Sequence, residues 1–471
     1  MLFTSNIFFL LLVITLLCYY LVQRKGMQIA ILILSSLIFY GKYNPQLVVL
    51  LILSVVFNTL TSWYSGIGSL KSRRFSVTIG VIINLLVLAF FKYAGLLVLT
   101  FHGLGELSPA EQFMSTIPLP VGISFFTFQG MSLLIDVYRN PHQLEDWGQH
   151  NFWQYLQECT LFKVFFPQLV AGPIVKAHDF MPQIGVKYFK DIKWEFVVRN
   201  LIMGYFLKMV VADNLKDITS FMIYPRFMDY SSIELIMLIG AYSMQIFADF
   251  AGYSTIAIGL SRLFGYELMV NFNFPYIATS FSDFWRRWHI SLSSWLREYL
   301  YFSLGGNKAG TARTYINLMI VMTLGGLWHG AAWSYMVWGT AHGLFLVGER
   351  MLSNSRQSFF NNNWYLRLKT FWVFLCITLA WLLFKLPDFS QVIAYLQVLI
   401  FNWNTPPQLR HFWGYILIFG VPVLLYHFYG LMPRSDKPQW IERWRPVGLA
   451  VMLVLILIAA GSKGSFIYFR F

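Results

Sequence analysis

Charge is scarce in this chain of 471 residues: Asp, Glu, Lys and Arg make up 12% of it, against 57% hydrophobic residues. One soluble core cannot hide that much apolar surface, whereas a bilayer accepts it without penalty, so a soluble globular protein is excluded. Cysteine is scarce as well. Cys18, Cys159 and Cys376 share no metal or redox spacing, and Cys18 and Cys376 fall in apolar runs where cysteine packs as a small hydrophobe. The chain also lacks a hydrophilic domain, a low-complexity linker and a tandem repeat; its longest weakly apolar stretches, 140–151, 176–194 and 353–364, read as loops. No basic segment precedes the first apolar run and no small-residue cleavage pattern follows Val22, so that run is expected to be retained. A net charge of +14 without a basic stripe of interleaved polar residues argues against a nucleic-acid partner.

What the chain does contain is apolar runs of spanning length. Segments 2–22, 46–64, 77–98, 196–211, 233–260, 315–336, 368–384, 412–429 and 447–460 each approach the roughly 20 residues a crossing helix needs. Shorter runs at 27–41 and 121–137 cross or re-enter, which gives an expectation of about 10–12 transmembrane helices. Basic residues collect between the spans: Arg24 and Lys25, then Lys71, Arg73 and Arg74, then Arg434, Lys437, Arg443 and Arg445. Since Lys and Arg favour cytoplasmic loops, both termini are expected outside. Segment 187–199 mixes aromatic residues with Lys190, Lys193 and Arg199, as expected of an anchor at the headgroup level.

Segment 272–310 is too polar for a lipid-facing span, carrying Asp283, Arg286, Arg287, His289, Arg297, Glu298 and Lys308 among tryptophans. In a continuous helix, Arg286, His289, Ser293 and Arg297 would share one face. Downstream, His329 sits in the strongly apolar stretch that begins near Tyr315, flanked by Gly325, Gly326 and Gly330. An intramembrane histidine is a functional hypothesis by default, and an unperturbed pKa of about 6.5 suits it to accept and return a proton. A structural histidine bonded to a carbonyl is the alternative. His342 lies 13 residues on, about 220° around a single helix, so the two histidines face apart unless the chain breaks, which Gly339 permits.

Four segments together carry a resemblance: Asn271-Phe272-Asn273-Phe274-Pro275-Tyr276, the run from Asp283 through Arg286-Arg287-Trp288-His289 to Ser293, Ser303-Leu304-Gly305-Gly306-Asn307, and Leu327-Trp328-His329-Gly330. They resemble the membrane-bound O-acyltransferase superfamily, in the branch of the alginate O-acetylation membrane protein and the peptidoglycan O-acetyltransferase membrane subunit. Gly122-Ile123-Ser124-Phe125 and Phe166 to Pro173 extend the likeness over nearly the whole chain.

The resemblance implies an all-α polytopic membrane protein, with re-entrant and interfacial helices around a central funnel. It implies one domain over 1–461, a catalytic core at about 120–350, and a tail at 462–471. His329 would be the catalytic base at the funnel's narrow centre with His289 beside it, and Trp328, Arg286, Asn307, His342 and Asp249 would line the substrate path. The branch usually has an acid where this chain has Thr255; Asp249 and Gln245, on one helical face with Tyr253, are the alternative polar lining or a helix-packing bond.

The implied activity is O-acetyl transfer from a cytoplasmic thioester such as acetyl-CoA, with no permanently bound cofactor and no metal, across a bacterial inner membrane. The implied partners are the lipid bilayer, an exported polysaccharide as final acceptor, and a periplasmic SGNH-type acetyltransferase. The tail, Phe466-Ile467-Tyr468-Phe469-Arg470-Phe471, resembles the acyl-carrying end of a small membrane partner in teichoic acid D-alanylation, which makes Tyr468 an expected acyl carrier; an aromatic-belt anchor is the other reading. A transporter or flippase would also show many spans and intramembrane charges.

Overall fold

The computed structural model describes residues 1–42, 45–102, 106–140, 142–147, 151–170, 172–355, 363–386, 388–432 and 438–462, and no strand occurs among them. Five helices are long and apolar enough to cross a bilayer: Gln46–Ile67, Leu70–Phe101, Ser232–Leu263, Trp364–Lys385 and Arg410–Leu431. Asn6–Leu21, Lys25–Gly41 and Phe389–Phe401 are shorter apolar helices. Two expected spans are interrupted. The run at 196–211 passes from the helix Trp194–Tyr205 into a π-helical turn, Phe206–Ala212, and the run at 315–336 breaks after His329 and restarts at Trp333.

Read as one domain from the sequence, the chain packs as two compact units, Met1–Asn200 with Ile256–Met269, and Leu201–Thr255 with Val270–Phe471. In the first unit, side-chain polar bonds tie apolar helices together where no water is available to them. Asn58 and Asn84 exchange amide hydrogen bonds between Gln46–Ile67 and Leu70–Phe101. Gly130 approaches so closely that a Cβ there would stand 2.6 Å from the Asn58 Oδ1. Lys163 donates to the Ser54 Oγ at 2.8 Å, and the buried Glu158 pairs with Lys25 at 2.6 Å. The resembling segments 122–125 and 166–173 meet here. Gly122 has φ +76° and would push a Cβ to 2.6 Å from the Leu169 carbonyl oxygen.

In the second unit, the helix ending at His329 (Thr311–His329) and the helix Trp333–Ser355 pack against each other as a tight pair. Gly326 and Gly339 make this approach feasible, because a Cβ on Gly326 would lie 2.2 Å from the Tyr335 carbonyl oxygen and one on Gly339 2.3 Å from that of Met322. Small residues let membrane helices approach closely. Gly339 therefore serves packing inside a helix, and the break that the sequence permits there falls instead between Gly330 and Ala332.

The same unit holds a buried ion triad. Lys208, on the π-helical turn, stands 2.7 Å from Asp213 and 2.7 Å from Asp249, all three being about 5% exposed. The triad fastens the turn to the helix Ser232–Leu263, and Gly252 keeps the contact close, since a Cβ there would meet the Lys208 amide nitrogen at 2.8 Å. The last described residues seat on the π-helical turn and on the helix that follows it, Asp213–Thr219: Gly461 donates to the Met209 carbonyl at 2.9 Å and Ser462 to the Asp217 carboxylate at 2.5 Å. Tyr468 lies outside the described residues.

Candidate active site

The helix expected to carry Arg286, His289, Ser293 and Arg297 on one face is broken. Phe281–Arg287 is a short helix capped by the Ser280 hydroxyl and held at its start by Glu349, whose carboxylate accepts from the Phe281 amide at 2.5 Å. The chain then turns sharply at His289, φ +44°, and Ile290–Trp295 begins a new helix that ends in a π-helical turn, Leu296–Tyr301. A residue other than glycine in the left-handed region is strained by its Cβ, so something must hold it there.

Asn271 supplies that hold. Its backbone carbonyl accepts from the Ile290 amide at 3.0 Å and its side-chain Oδ1 from the Ser291 amide at 3.1 Å, while its Nδ2 donates to the Ser254 Oγ at 3.2 Å. Asn273 adds a bond from its amide to the Arg287 carbonyl at 3.0 Å. The Asn-Phe-Asn stretch is thus a strap across the His289 turn. Phe250, one residue after the ion-paired Asp249, closes the other side with its ring edge-on to the His289 imidazole at 4.6 Å.

The break brings the histidines together. His289 is fully buried and its ring centroid lies 6.2 Å from that of His329, which is 3% exposed. The Trp328 ring is 5.1 Å from His329 and 6.0 Å from His289. Trp338 stands between His329, at 5.2 Å, and His342, at 4.6 Å, so the second helix of the pair presents His342 one aromatic layer away. Among the described residues neither ring nitrogen of buried His342 has a hydrogen-bond partner. Phe384 covers the remaining side of His329 at 5.4 Å.

His329 also lines a cavity of about 480 Å³, together with Arg286, Ser293, Arg297, Tyr301 and Trp338. Three of the four residues expected on one helical face therefore do share a space. His289 is absent from that lining and sits behind, against His329. The Arg286 guanidinium leans on Ser282, 3.4 Å from its carbonyl oxygen, and Arg297 lies 4.0 Å from Glu298. The cavity has positive charge at its exposed arginines and an imidazole at its buried end. Such an arrangement can hold an anionic ligand by its charge while one uncharged reacting group reaches the histidine.

Trp328, Asn307, His342 and Asp249 are not among the described residues that line this cavity. Trp328 packs behind the imidazole pair. Asn307 is exposed in the turn after Tyr301, and Asp249 is occupied by Lys208. Asn271, Phe250, Glu349, Trp338 and Lys208 support the site without having been read from the sequence as site residues. The asparagines stood in the recognised motif, but only the backbone bonds reveal what they hold.

A family model for the membrane-bound O-acyltransferase family matches residues 107–387. The chain is 37% identical to the probable alginate O-acetylase AlgI of Pseudomonas aeruginosa over 390 residues, 82% of this chain and 72% of that one. It is 34% identical to the peptidoglycan O-acetyltransferase of Helicobacter pylori over 396 residues, covering 78% and 73%. A more distant relative is the teichoic acid D-alanyltransferase of Bacillus subtilis, 28% identical over 239 residues, 48% of this chain and 58% of that one. With the match spanning the paired histidines and the cavity, this chain belongs to the membrane-bound O-acyltransferase family and is a multi-pass membrane O-acyltransferase.

Proposed function

We propose that the chain takes an acetyl group from a thioester on the cytoplasmic side of a bacterial inner membrane and passes it outward for O-acetylation of an exported polysaccharide. One observation carries the reading: His329 lines the 480 Å³ cavity with Arg286 and Arg297 and has the His289 ring 6.2 Å away. Acetyl-CoA suits that space, because its phosphates would meet the arginines while its thioester reaches the imidazole. The names of the relatives, which act on alginate and on peptidoglycan, support a polysaccharide as the final acceptor.

In the proposed step His329 accepts the proton of the acceptor hydroxyl as its oxygen attacks the thioester carbonyl. The carbon–sulfur bond then breaks and the imidazolium returns the proton to the departing thiolate. His289 and Trp328 fix the His329 ring, Arg286 contacts the donor, and His342 acts from behind Trp338, outside the cavity. Asn307 and Asp249 act from outside the cavity, the first on the exposed turn and the second through its ion pair. Tyr468 is the proposed first acceptor: an aryl ester is activated enough to hand its acetyl on, here to a periplasmic SGNH-type transferase with both chain termini on that side.

The test is release of free thiol from acetyl-CoA by the purified full-length protein. Turnover is expected in the native sequence and lost in His329→Ala; turnover that survives the substitution overturns the assignment. Mass spectrometry of the C-terminal peptide after incubation with labelled donor reads the tail. Active transfer with no label on Tyr468 removes the carrier step.

A further inference from the structure

A second cavity, of about 380 Å³, lies in the same unit and has no part in the chemistry above. Phe221, Arg226, Asp229 and Tyr230 line it from one segment, Gln408 and Leu409 from the turn into the helix Arg410–Leu431, and His411 and Phe412 from that helix's first turn. Its volume falls in the range of about 300–1,000 Å³ typical of small-molecule sites.

The walls are built and fixed. Glu234, 1% exposed, accepts from the Ser231 amide and hydroxyl, each at 2.8 Å, and from the Leu409 amide, so one buried carboxylate joins both sides. Gln408 donates to the Asp229 carbonyl at 3.0 Å and Asn402 to that of Met228 at 3.3 Å. Phe221 and Phe412 form an aromatic pair at 5.0 Å, and His411 packs on Phe412 at 4.1 Å.

Arg226 stands over the Phe221 ring, its guanidinium carbon 4.2 Å from the ring centroid, and shares a hydrogen bond with Tyr230. Among the described residues it forms no ion pair. A guanidinium placed this way keeps its planar fork for a carboxylate. Beside it stand an exposed Asp229 carboxylate and a Gln408 amide, which suit hydroxyl groups, and two aromatic rings, which suit an apolar ring face.

We infer that this cavity binds a carboxylate-bearing sugar unit of the acceptor polysaccharide. A multiply charged phosphate fits less well, because Asp229 adds negative charge to the same small space. The cavity lies at the Arg410 end of its helix, opposite the end that leads towards the basic residues Arg443 and Arg445, so the expected topology puts it on the outer side. The inference rests on the polysaccharide reading but not on the catalytic role of His329.

The test uses purified full-length protein in detergent and saturation-transfer NMR with an oligouronate and a neutral oligosaccharide of equal length. The oligouronate is expected to bind in preference to the neutral sugar, about tenfold or more weakly to Arg226→Ala, and more tightly to Asp229→Asn. His329→Ala should bind it unchanged, and a native melting temperature in detergent shows that Arg226→Ala is folded. Absent binding, equal binding of both sugars, or indifference to Arg226→Ala overturns the inference. So does an acidic hexapeptide that binds where the oligouronate does not. If binding fails while His329-dependent turnover stands, this site alone is refuted; if turnover fails while the sugar binds, only the catalytic proposal falls.

Discussion

Asn271 holds His289 in a left-handed turn that the histidine would not adopt by itself, through the 3.1 Å bond from the Ser291 amide to its Oδ1 and the 3.0 Å bond from the Ile290 amide to its carbonyl. Stability and activity should both depend on this pair. Asn271→Ala leaves a buried amide without its acceptor and is expected to cost about 1–3 kcal/mol, lowering both the melting temperature in detergent and thioester turnover. His289→Gly relaxes φ +44°, worth about 1 kcal/mol, but empties a fully buried ring site at a cost of about 2–5 kcal/mol and removes an imidazole from the reaction centre. A glycine variant that melts lower and turns over at less than a tenth of the native rate fits this account. One that melts lower and stays active contradicts it.

The glycine contacts between the helix ending at His329 and its partner give a sharper test of packing. A methyl group on Gly326 would lie 2.2 Å from the Tyr335 carbonyl oxygen, whereas one on Gly348, further along the partner helix, would meet nothing within 4 Å beyond its own helix turn. Gly326→Ala and Gly339→Ala should each lose about 1–3 kcal/mol or fail to accumulate, and Gly348→Ala should match the native protein. Detergent-solubilised yield and melting temperature report both.

The sequence shows the membrane class, the helical content and His329 clearly, because apolar run length and an intramembrane imidazole are local signals. It also places Arg286, Ser293 and Arg297 together, although by a helix that the structure breaks at His289. That break is illegible beforehand: it depends on Asn271, which is distant in sequence from the turn it straps, and no local propensity sets a histidine at positive φ. Asp249 is visible as an odd acid in an apolar run, but its partner Lys208 sits on a π-helical turn in a different apolar segment. The pairing of two segments is a tertiary fact, and only the fold states it.

The Lys208 triad should be sensitive to partial removal. Lys208→Met leaves Asp213 and Asp249 facing each other without their cation, and an uncompensated buried charge costs about 3–5 kcal/mol. The triple variant Lys208→Met, Asp213→Asn, Asp249→Asn removes all the charge and is expected to recover most of that loss. Melting temperatures of the two variants decide the matter: a triple variant no more stable than Lys208→Met would mean that shape rather than charge fixes the turn to its neighbour.

His178, in the first unit outside the spanning helices, offers a pH test. Its Nδ1 is 2.9 Å from the Asp136 carboxylate, and that hydrogen bond raises the imidazole pKa above its ordinary value against the opposing effect of burial. A folded-state pKa above the unfolded one, about 6.5, gives stability that is fully present below pH 6.5 and is lost as pH rises through the folded value. The ring is 40% exposed, so solvent screening limits the gain to about 0.5 kcal/mol. The native protein should therefore melt slightly above His178→Gln at pH 6, and the difference should shrink towards pH 8.5. A difference that grows with pH would mean that neutral His178, rather than the imidazolium, is the form that Asp136 favours.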